Sequence, residues 1–202
     1  LFRSGAGIVT VFDTGIDNEL SGGNIAGPKA DSEDKLPGLS RLADEIHRND
    51  AIASIELTHY GCVSNPALVR PLGSMLISSS NIEMGGKQVA REMTHDEIRH
   101  VIENYVNAAC LCKTAGYDMV MIHGAHGQLP AQFLSPFFNK RTDEYGGSFE
   151  NRMRFPLELL AALKEALGKD YPIEYRISGD ELDEKGLRLE ETLEFLKKAQ
   201  KY

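Results

Sequence analysis

The chain has few of the residues that mark several common classes of protein. Its 202 residues include no tryptophan and only three cysteines. Cys62, Cys110 and Cys112 are odd in number and form no Cys-x-x-Cys pair, so neither a disulfide framework nor a cysteine zinc site is supported. A reducing, cytoplasmic location fits this cysteine usage best.

Long apolar runs and clusters of basic residues are missing as well. No apolar run approaches the roughly 20 residues of a membrane helix, and the first residues lack the ordered regions of a signal peptide. The net charge of −8 argues against a nucleic-acid-binding surface, which needs clustered lysine and arginine. We therefore expect neither a membrane nor a nucleic acid as a partner. With 42% hydrophobic and 26% charged residues, the composition is that of an ordinary globular domain.

Short apolar runs alternate with longer amphipathic segments along the whole chain. Apolar and β-branched runs predict four strands, at 7–12, 51–57, 119–122 and 172–177. Periodic segments predict four helices, at 39–46, 94–112, 152–167 and 189–201. Ser40 is a candidate cap for the first helix, and Thr94 with Glu97 forms a capping box for the second. The excursion over 61–93 predicts a short hairpin near Met75–Met84.

This alternation favours a parallel sheet with right-handed helical crossovers. Two architectures fit the pattern equally well. One is a doubly wound open sheet, and the other is part of a (β/α)8 barrel. Periodicity alone does not choose between them.

A loop with two histidines follows the third predicted strand. His123 and His126 come directly after an unbroken apolar run, at the edge where both architectures place their chemistry. About twenty-five residues separate this strand from the next helix, and connections of that length are usually functional. Two imidazole donors on one oxygen would polarise a carbonyl group. The alternatives are loop histidines that cap backbone carbonyls, or, together with His59, ligands of a metal-dependent hydrolase.

The stretch from 118 to 154 resembles the Old Yellow Enzyme family of FMN-dependent ene-reductases. Beside the histidine pair, it contains Gln-Phe-Leu-Ser-Pro at 132–136, Asn-Lys-Arg-Thr-Asp-Glu-Tyr-Gly-Gly-Ser at 139–148 and Glu-Asn-Arg at 150–152. Two further similar pieces are Glu-Leu-Thr-His-Tyr-Gly at 56–61 and Tyr-Arg-Ile-Ser at 175–178. The likeness is greatest to the 2-enoate reductase and 2,4-dienoyl-CoA reductase-like branch.

The resemblance implies an α/β fold, a partial (β/α)8 TIM barrel of about four βα units. Residues 1–202 are then expected to be one incomplete domain, the N-terminal part of an FMN-binding barrel with strands two to five. In such barrels the phosphate site lies at the loops after strands seven and eight, which this chain is not expected to contain. Two open sheet edges predict an oligomer, a completing chain or aggregation.

The same resemblance implies an FMN-dependent oxidoreductase that reduces or forms a C=C bond conjugated to a carbonyl. NAD(P)H would be the electron donor, and the substrate would be an enone, an enoate or an enoyl thioester. The branch adds a 4Fe-4S cluster and FAD in regions beyond the barrel. The alternative is a truncated or degenerate half barrel without activity, which acts as a binding or structural module.

Four residues are assigned roles through this resemblance. His123 and His126 would polarise the substrate carbonyl as catalytic donors, and Arg176 would stabilise negative charge at N1–C2=O of the reduced flavin. The alternative for Arg176 is a salt bridge to Asp180 or Glu181. Glu56 stands where many members have glutamine, and a carboxylate there accepts the flavin N3–H but opposes negative charge on the ring.

One further position departs from the family pattern. Gln128 occupies the place where many members have a tyrosine that protonates the substrate α-carbon, and an amide cannot act as a general acid near neutral pH. Either another group or water donates the proton, or the reaction differs, or the protein is inactive. The charged segment at 141–147 is interpreted as scaffold that holds the long loop.

Overall fold

The computed structural model describes residues 5–17, 19–21, 27–64 and 75–202. The strands are β1 (Ile8–Gly15), β2 (Ile52–Thr58), β3 (Leu76–Ser78), β4 (Ile82–Met84), β5 (Lys87–Glu92), β6 (Met119–Gly124) and β7 (Ile173–Ile177). The helices are α1 (Leu36–His47), α2 (His95–Thr114), α3 (Leu129–Leu134), α4 (Phe149–Arg152), α5 (Arg154–Leu167) and α6 (Leu189–Ala199), with 3₁₀ turns at Glu33–Lys35 and Gly61–Val63.

The main sheet has the order β1-β2-β6-β7, and every neighbouring pair is parallel. This order follows the chain without a reversal. A doubly wound sheet reverses its strand order at a switch point, whereas successive strands of a (β/α)8 barrel lie side by side. The strand order therefore resolves the choice that periodicity left open, and the prediction of a partial barrel with four βα units is confirmed.

The two faces of the main sheet differ in polarity because successive side chains of a strand point to opposite faces. On the outer face, Ile55, Leu57 and Ile122 are completely buried against α1, α2 and α5. On the inner face, Glu56 lies beside Met121, and Met121 lies beside Glu174. The apolar layer thus holds the helices to the sheet, and polar side chains occupy the inside of the open barrel.

The capping box that begins α2 is formed as predicted. Thr94 Oγ1 accepts the Glu97 N–H at 3.2 Å, and the Glu97 carboxylate accepts the Thr94 N–H at 2.9 Å. Arg91 also bonds this carboxylate, with Nη1 at 2.8 Å. Mainly through the hydrogen bond from Arg91, the pKa of Glu97 falls from its usual 4.5 to about 2.

Replacement of Glu97 with glutamine is expected to lower the free energy of unfolding by at most about 1 kcal/mol at neutral pH, because the neutral amide loses the ion pair with the partly exposed Arg91 but can still accept the Thr94 N–H. Because the folded pKa is depressed, the contribution of Glu97 is fully present above pH 4.5 and is lost as the pH falls towards 2. Urea unfolding of both proteins at pH 7 and pH 3 measures this. Glu103→Gln, an exposed position on the same helix, is the control. A difference between wild type and Glu97→Gln that does not shrink at pH 3 would contradict the assignment.

Two local predictions were wrong. Ser40 lies inside α1, which begins at Leu36 with a proline in its first turn, where a missing N–H costs nothing. The hairpin is formed by β4 and β5, around Gly85 and Gly86, both in the left-handed region that two-residue hairpin turns need. β3 pairs in parallel with β5 and not with β4. Within the predicted excursion, residues 65–74 lie outside the described residues.

Two global expectations can be compared with the described part of the chain. Cys62, Cys110 and Cys112 are free thiols in the described residues. Within the same residues, none of the helices combines the length and the apolar character needed to cross a bilayer.

Candidate functional site at the carboxyl ends of the barrel strands

The carboxyl ends of β2, β6 and β7 bring together the residues that the sequence singled out. In the parallel register, His123 lies directly beside Arg176, and Glu56 projects from the neighbouring strand one layer below. These side chains share the inner face because their strands run in the same direction and end at the same edge. Residues separated by up to 120 positions thus form one cluster.

Glu56 is the centre of this cluster. The residue is only 1% exposed, and its carboxylate accepts hydrogen bonds from Arg176 Nη1 at 3.0 Å and from the Asp13 N–H at 3.2 Å. The same carboxylate lies 3.7 Å from His123 Nδ1. A buried charge requires a partner of opposite charge or several donors. Here the half-exposed guanidinium of Arg176 supplies the opposite charge.

The alternative partners predicted for Arg176 were wrong. Glu181 accepts hydrogen bonds from Ser135 Oγ and the Leu187 N–H, both at 2.6 Å, and Asp180 accepts from backbone N–H groups that include that of Leu182. These two acids organise the loop between β7 and α6. Arg176 instead points from β7 into the open barrel, because it occupies an inner-face position of the strand.

The two histidines are in contact at the rim. Their ring centroids lie 5.1 Å apart with the planes at 89°, and His123 is buried whereas His126 is exposed. Burial lowers the pKa of His123, Glu56 opposes this shift, and Arg176 adds to it. A neutral imidazole has one N–H donor. The pair can therefore offer two donors to one acceptor atom at the mouth of the barrel.

The backbone around the histidines is tightly constrained. A Cβ atom on Gly124 would lie 2.2 Å from the ring of Tyr175, so only glycine fits between His123 and the rest of the loop. His126 has a φ of +55°, a left-handed conformation that is unfavourable for a residue with a side chain. Strain of this kind persists only where surrounding contacts hold it, and it is concentrated at functional sites.

A cavity of about 390 Å³ opens on the inner face of the sheet. It is lined by Thr10, Phe12, Glu56, Met121, Glu174, Tyr175 and Arg176. Among the described residues, His123 Nδ1, Ser54 Oγ and Glu174 Oε2 are buried on this face without a hydrogen-bond partner. Buried polar atoms are normally paired, so these three atoms have hydrogen-bonding capacity that a ligand in the cavity can use.

The residues of the cavity fit the polar edge of a flavin ring. Arg176 offers a permanent cation to an electron-rich N–C=O group, and Glu56 offers a buried acceptor to a ring N–H. Arg176 is the one basic residue in the described lining, so the cavity suits an uncharged ring better than a phosphate group. Phe12, a residue that is 70% exposed, adds an apolar surface to the same cavity.

Gln128 does not provide an acid. It precedes α3 as the N-terminal flanking residue, is 9% exposed, and its Oε1 has no partner among the described residues.

Sequence reasoning missed Asp13 and Tyr60, which lie on the same rim, with the Tyr60 hydroxyl donating to Asp13 Oδ1 at 2.5 Å. The available signal for Asp13 was a charged residue at the end of a β-branched run.

The metal-site alternative is not supported by the arrangement of ligands. His59 is completely buried, its Nδ1 accepts the Gly61 N–H at 3.2 Å, and burial lowers its pKa to about 4. Within the described residues, the group with metal-ligand geometry is His95, Asp143 and Glu144. It does not include His59, His123 or His126.

The predicted scaffold role of the charged segment agrees with its contacts. Arg141 is 4% exposed and donates to Asp143, to the Ser79 carbonyl and to the Met93 carbonyl. Asp143 is therefore already paired with a cation, and the hydrogen bond from Arg141 lowers its pKa. These bonds fasten the long loop after β6 to the excursion that contains β3 and β5.

Chain-order parallel strands with polar side chains at their carboxyl ends define a (β/α)8-type enzyme scaffold. Residues 4–202 match the NADH:flavin oxidoreductase / NADH oxidase family, and the chain belongs to this family. The resemblance to Old Yellow Enzyme that the motifs indicated is confirmed.

Relatives of known name agree with this assignment. The chain is 40% identical to the NADH oxidase of Thermoanaerobacter brockii over 190 residues, which are 94% of this chain and 29% of the relative. A 2-naphthoyl-CoA reductase in complex with 2-naphthoyl-CoA superimposes with a TM-score of 0.90 and 30% identity, covering 99% of this chain and 32% of that one. Old Yellow Enzyme from Pichia sp. AKU4542 superimposes with a TM-score of 0.76 and 29% identity, covering 83% of this chain and 46% of that one. The chain thus spans less than half the length of these proteins.

Proposed function

We propose that this chain is part of an FMN-dependent oxidoreductase that uses NAD(P)H to reduce, or in reverse to form, a C=C bond conjugated to a carbonyl. The observation that carries the proposal is the convergence of the histidine pair, Arg176 and Glu56 on one rim, with 3.0 Å from Arg176 to Glu56 and 3.7 Å from His123 to Glu56. Family membership supports the flavin and the nicotinamide. The 2-naphthoyl-CoA bound to a structural neighbour is a thioester whose carbonyl is conjugated to an unsaturated ring.

Each rim residue has a distinct role in this proposal. His123 and His126 donate hydrogen bonds to the substrate carbonyl oxygen, and they withdraw electron density from the β-carbon as an oxyanion hole does. Arg176 would stabilise negative charge at N1–C2=O of the flavin, and Glu56 would accept N3–H while its carboxylate holds the guanidinium in place. FMN, when bound, supplies the hydride.

The proton for the α-carbon comes from water or from another group in this proposal. The Gln128 amide does not ionise near neutral pH, so it can hold a water molecule or a substrate group but cannot release a proton to it. Water is the simplest donor because it requires no further ionisable side chain. Slow proton delivery would then limit turnover, and the rate of enone reduction would show a solvent isotope effect.

The proposal extends to the substrate class and to the whole protein. We infer an enone, an enoate or an enoyl thioester as the small-molecule substrate. Residues 1–202 would be the N-terminal part of an FMN barrel, completed by further chain or by a partner. A 4Fe-4S cluster and FAD, as in the long branch, would be held by regions outside this sequence.

The purified protein with its barrel completed, by further chain or by a partner as proposed above, provides a direct test. We expect flavin absorbance, either as isolated or after incubation with FMN, bleaching of that absorbance by NADH or NADPH without oxygen, and its return on addition of 2-cyclohexenone, acrylate or crotonyl-CoA. Failure to retain FMN under all conditions would contradict the proposal. So would a reduced flavin that oxygen reoxidises but none of the three unsaturated compounds does.

A half barrel without activity is the second candidate, and one observation favours it. Phe12 and Ile8 of the edge strand β1 are 70% and 48% exposed, which suits a surface that another polypeptide covers. In this case the protein would bind a partner chain without binding FMN. Size-exclusion chromatography together with the flavin spectrum separates the two candidates.

A further inference from the structure

Gln132 on α3 uses the full hydrogen-bonding capacity of its side chain. The residue is completely buried. Its Nε2 donates to the Tyr60 carbonyl at 3.0 Å and to the Gly127 carbonyl at 2.6 Å. Its Oε1 accepts the Cys62 N–H at 3.3 Å and the Ser78 hydroxyl at 2.9 Å. A primary amide has two N–H donors and two acceptor positions, so every one of them is paired.

The four partners belong to three separate segments of the barrel rim. Tyr60 and Cys62 follow the end of β2, Gly127 lies in the histidine loop after β6, and Ser78 ends β3 in the excursion. The fit is close, because a Cβ atom on Gly61 would lie 2.2 Å from Gln132 Oε1. The amide of Gln132 therefore connects three segments of the rim and fixes their relative positions.

The serine run at 78–80 strengthens the same junction. The Ser79 hydroxyl donates to the Gln132 carbonyl at 2.8 Å, and Ser80 Oγ accepts the Lys140 N–H at 2.7 Å. All three serines are buried. The hydroxyl groups of Ser79 and Ser80 thus attach the excursion to the segment that follows β6.

The bond to Gly127 acts directly beside a strained residue. His126 has a φ of +55° and Gly127 a φ of +72°. A left-handed histidine relaxes unless its neighbours hold it. The Gln132 amide anchors the carbonyl of the residue after His126 and so limits the movement of the backbone from which the His126 ring projects.

We propose that Gln132 is a positioning residue that holds the His126 imidazole beside His123 at the rim. It acts through the Gly127 carbonyl and does not contact the substrate. The catalytic part of this inference rests on the proposed function, since it assumes that both imidazoles bind one substrate oxygen. The structural part, that the amide sets the position of the His126 ring, stands independently.

Gln132→Glu is the most informative variant because it keeps the shape of the side chain. One oxygen can still accept from Cys62 and Ser78, but the other replaces a donor and faces the carbonyl oxygens of Tyr60 and Gly127. We expect kcat/KM for 2-cyclohexenone to fall by up to about 100-fold at pH 8, the order of loss that a misplaced catalytic group causes. Burial against two carbonyl oxygens raises the pKa of the new carboxyl group, and protonation restores one donor. The loss relative to wild type should therefore shrink as the pH falls towards 6.

Three control variants separate positioning from a general loss of stability. Gln132→Met has a similar volume and no hydrogen-bond donor, so its kcat/KM should fall by the same factor relative to wild type at every pH. Ser78→Ala removes one bond to Oε1 without releasing Gly127, and its kcat/KM should stay near that of wild type. Arg141→Met breaks buried bonds to the same excursion but none to Gly127, and it should lower stability without a pH-dependent recovery.

A second readout does not depend on activity. In protein labelled with ¹³C-histidine, the NMR signals of the His126 ring should move in Gln132→Glu at pH 8 and return towards the wild-type position at pH 6, after correction for wild-type titration. His126 signals that match wild type at every pH would overturn the positioning role. Wild-type protein that does not reduce enones, together with the expected shifts in Gln132→Glu, would overturn the proposed function alone. If Gln132→Glu does not fold, Gln132→Asn, which is too short to reach both Ser78 and Gly127, should show a displaced His126 signal.

Discussion

Replacement of His123 with alanine is expected to lower kcat/KM for enone reduction by about 10²- to 10³-fold, the usual cost of one lost oxyanion-hole donor. The large effect follows from the position of this residue. His123 is buried at the end of β6, in contact with His126 and 3.7 Å from Glu56, so its ring is held in a fixed position from which it can donate to a bound carbonyl. The flavin content should not change, because the imidazole is assigned to the substrate and not to the cofactor.

The measurement is steady-state reduction of 2-cyclohexenone, compared with flavin absorbance per mole of protein. His100→Ala is the matched control, since His100 is an exposed histidine on α2, away from the rim. It should leave kcat/KM unchanged. The role of His123 as a carbonyl donor would be wrong if His123→Ala kept more than a tenth of the wild-type kcat/KM with a full complement of flavin.

The second large effect concerns the charge at the centre of the cluster. Replacement of Glu56 with glutamine should raise the midpoint potential of the bound flavin by on the order of 30 mV or more, where 30 mV corresponds to about 1.4 kcal/mol for a two-electron couple. Two changes act in the same direction. In the proposed arrangement the variant removes a negative charge beside the flavin ring. It also frees the Arg176 guanidinium, which bonds the wild-type carboxylate at 3.0 Å, to stabilise the anionic reduced flavin.

Anaerobic redox titration against a reference dye measures the potential, with Glu103→Gln as a distant control.

A double-variant cycle tests the pairing of Arg176 with Glu56 itself. Arg176→Met alone leaves a carboxylate that is 1% exposed without its cation, and it should destabilise the fold by about 2 kcal/mol, less than for a fully buried pair because the Arg176 side chain is half exposed. Adding Glu56→Gln to Arg176→Met should restore most of the lost stability. A potential that stays the same in Glu56→Gln would show that the carboxylate does not face the ring.

Several elements could be predicted because their signals are local. The apolar run before His123 predicted β6, and Thr94 with Glu97 predicted the start of α2, since a capping box is complete within four residues. The start of α1 was harder, because Leu36–Pro37 begins that helix without a side-chain cap. The β4–β5 hairpin was displaced in the prediction because two short strands in a polar excursion have no clear period, and the pairing of β3 with β5 brings together segments that are not adjacent in the chain.

The sequence identified the residues of the candidate site but not the contacts between them. The motifs identified His123, His126, Glu56 and Arg176, yet nothing in them indicated that Arg176 pairs with Glu56. Gln132 belonged to a recognised motif, but its four bonds depend on three loops whose approach no local pattern describes. Asp13 was missed for the same reason, since its backbone N–H reaches Glu56 only through the alignment of β1 with β2.

The sequence by itself determined the types of most helices and strands, the family and the identities of the rim residues, because side-chain periodicity, capping and motifs are properties of short segments. Periodicity left open the choice between a barrel and a doubly wound sheet, the motifs implied the barrel through the family resemblance, and the tertiary structure showed the strand order that confirms it. The tertiary structure alone decided that one buried carboxylate would lie between a guanidinium and an imidazole. That arrangement depends on the register of strands up to 120 residues apart, which only the packing of the whole sheet against its helices can fix.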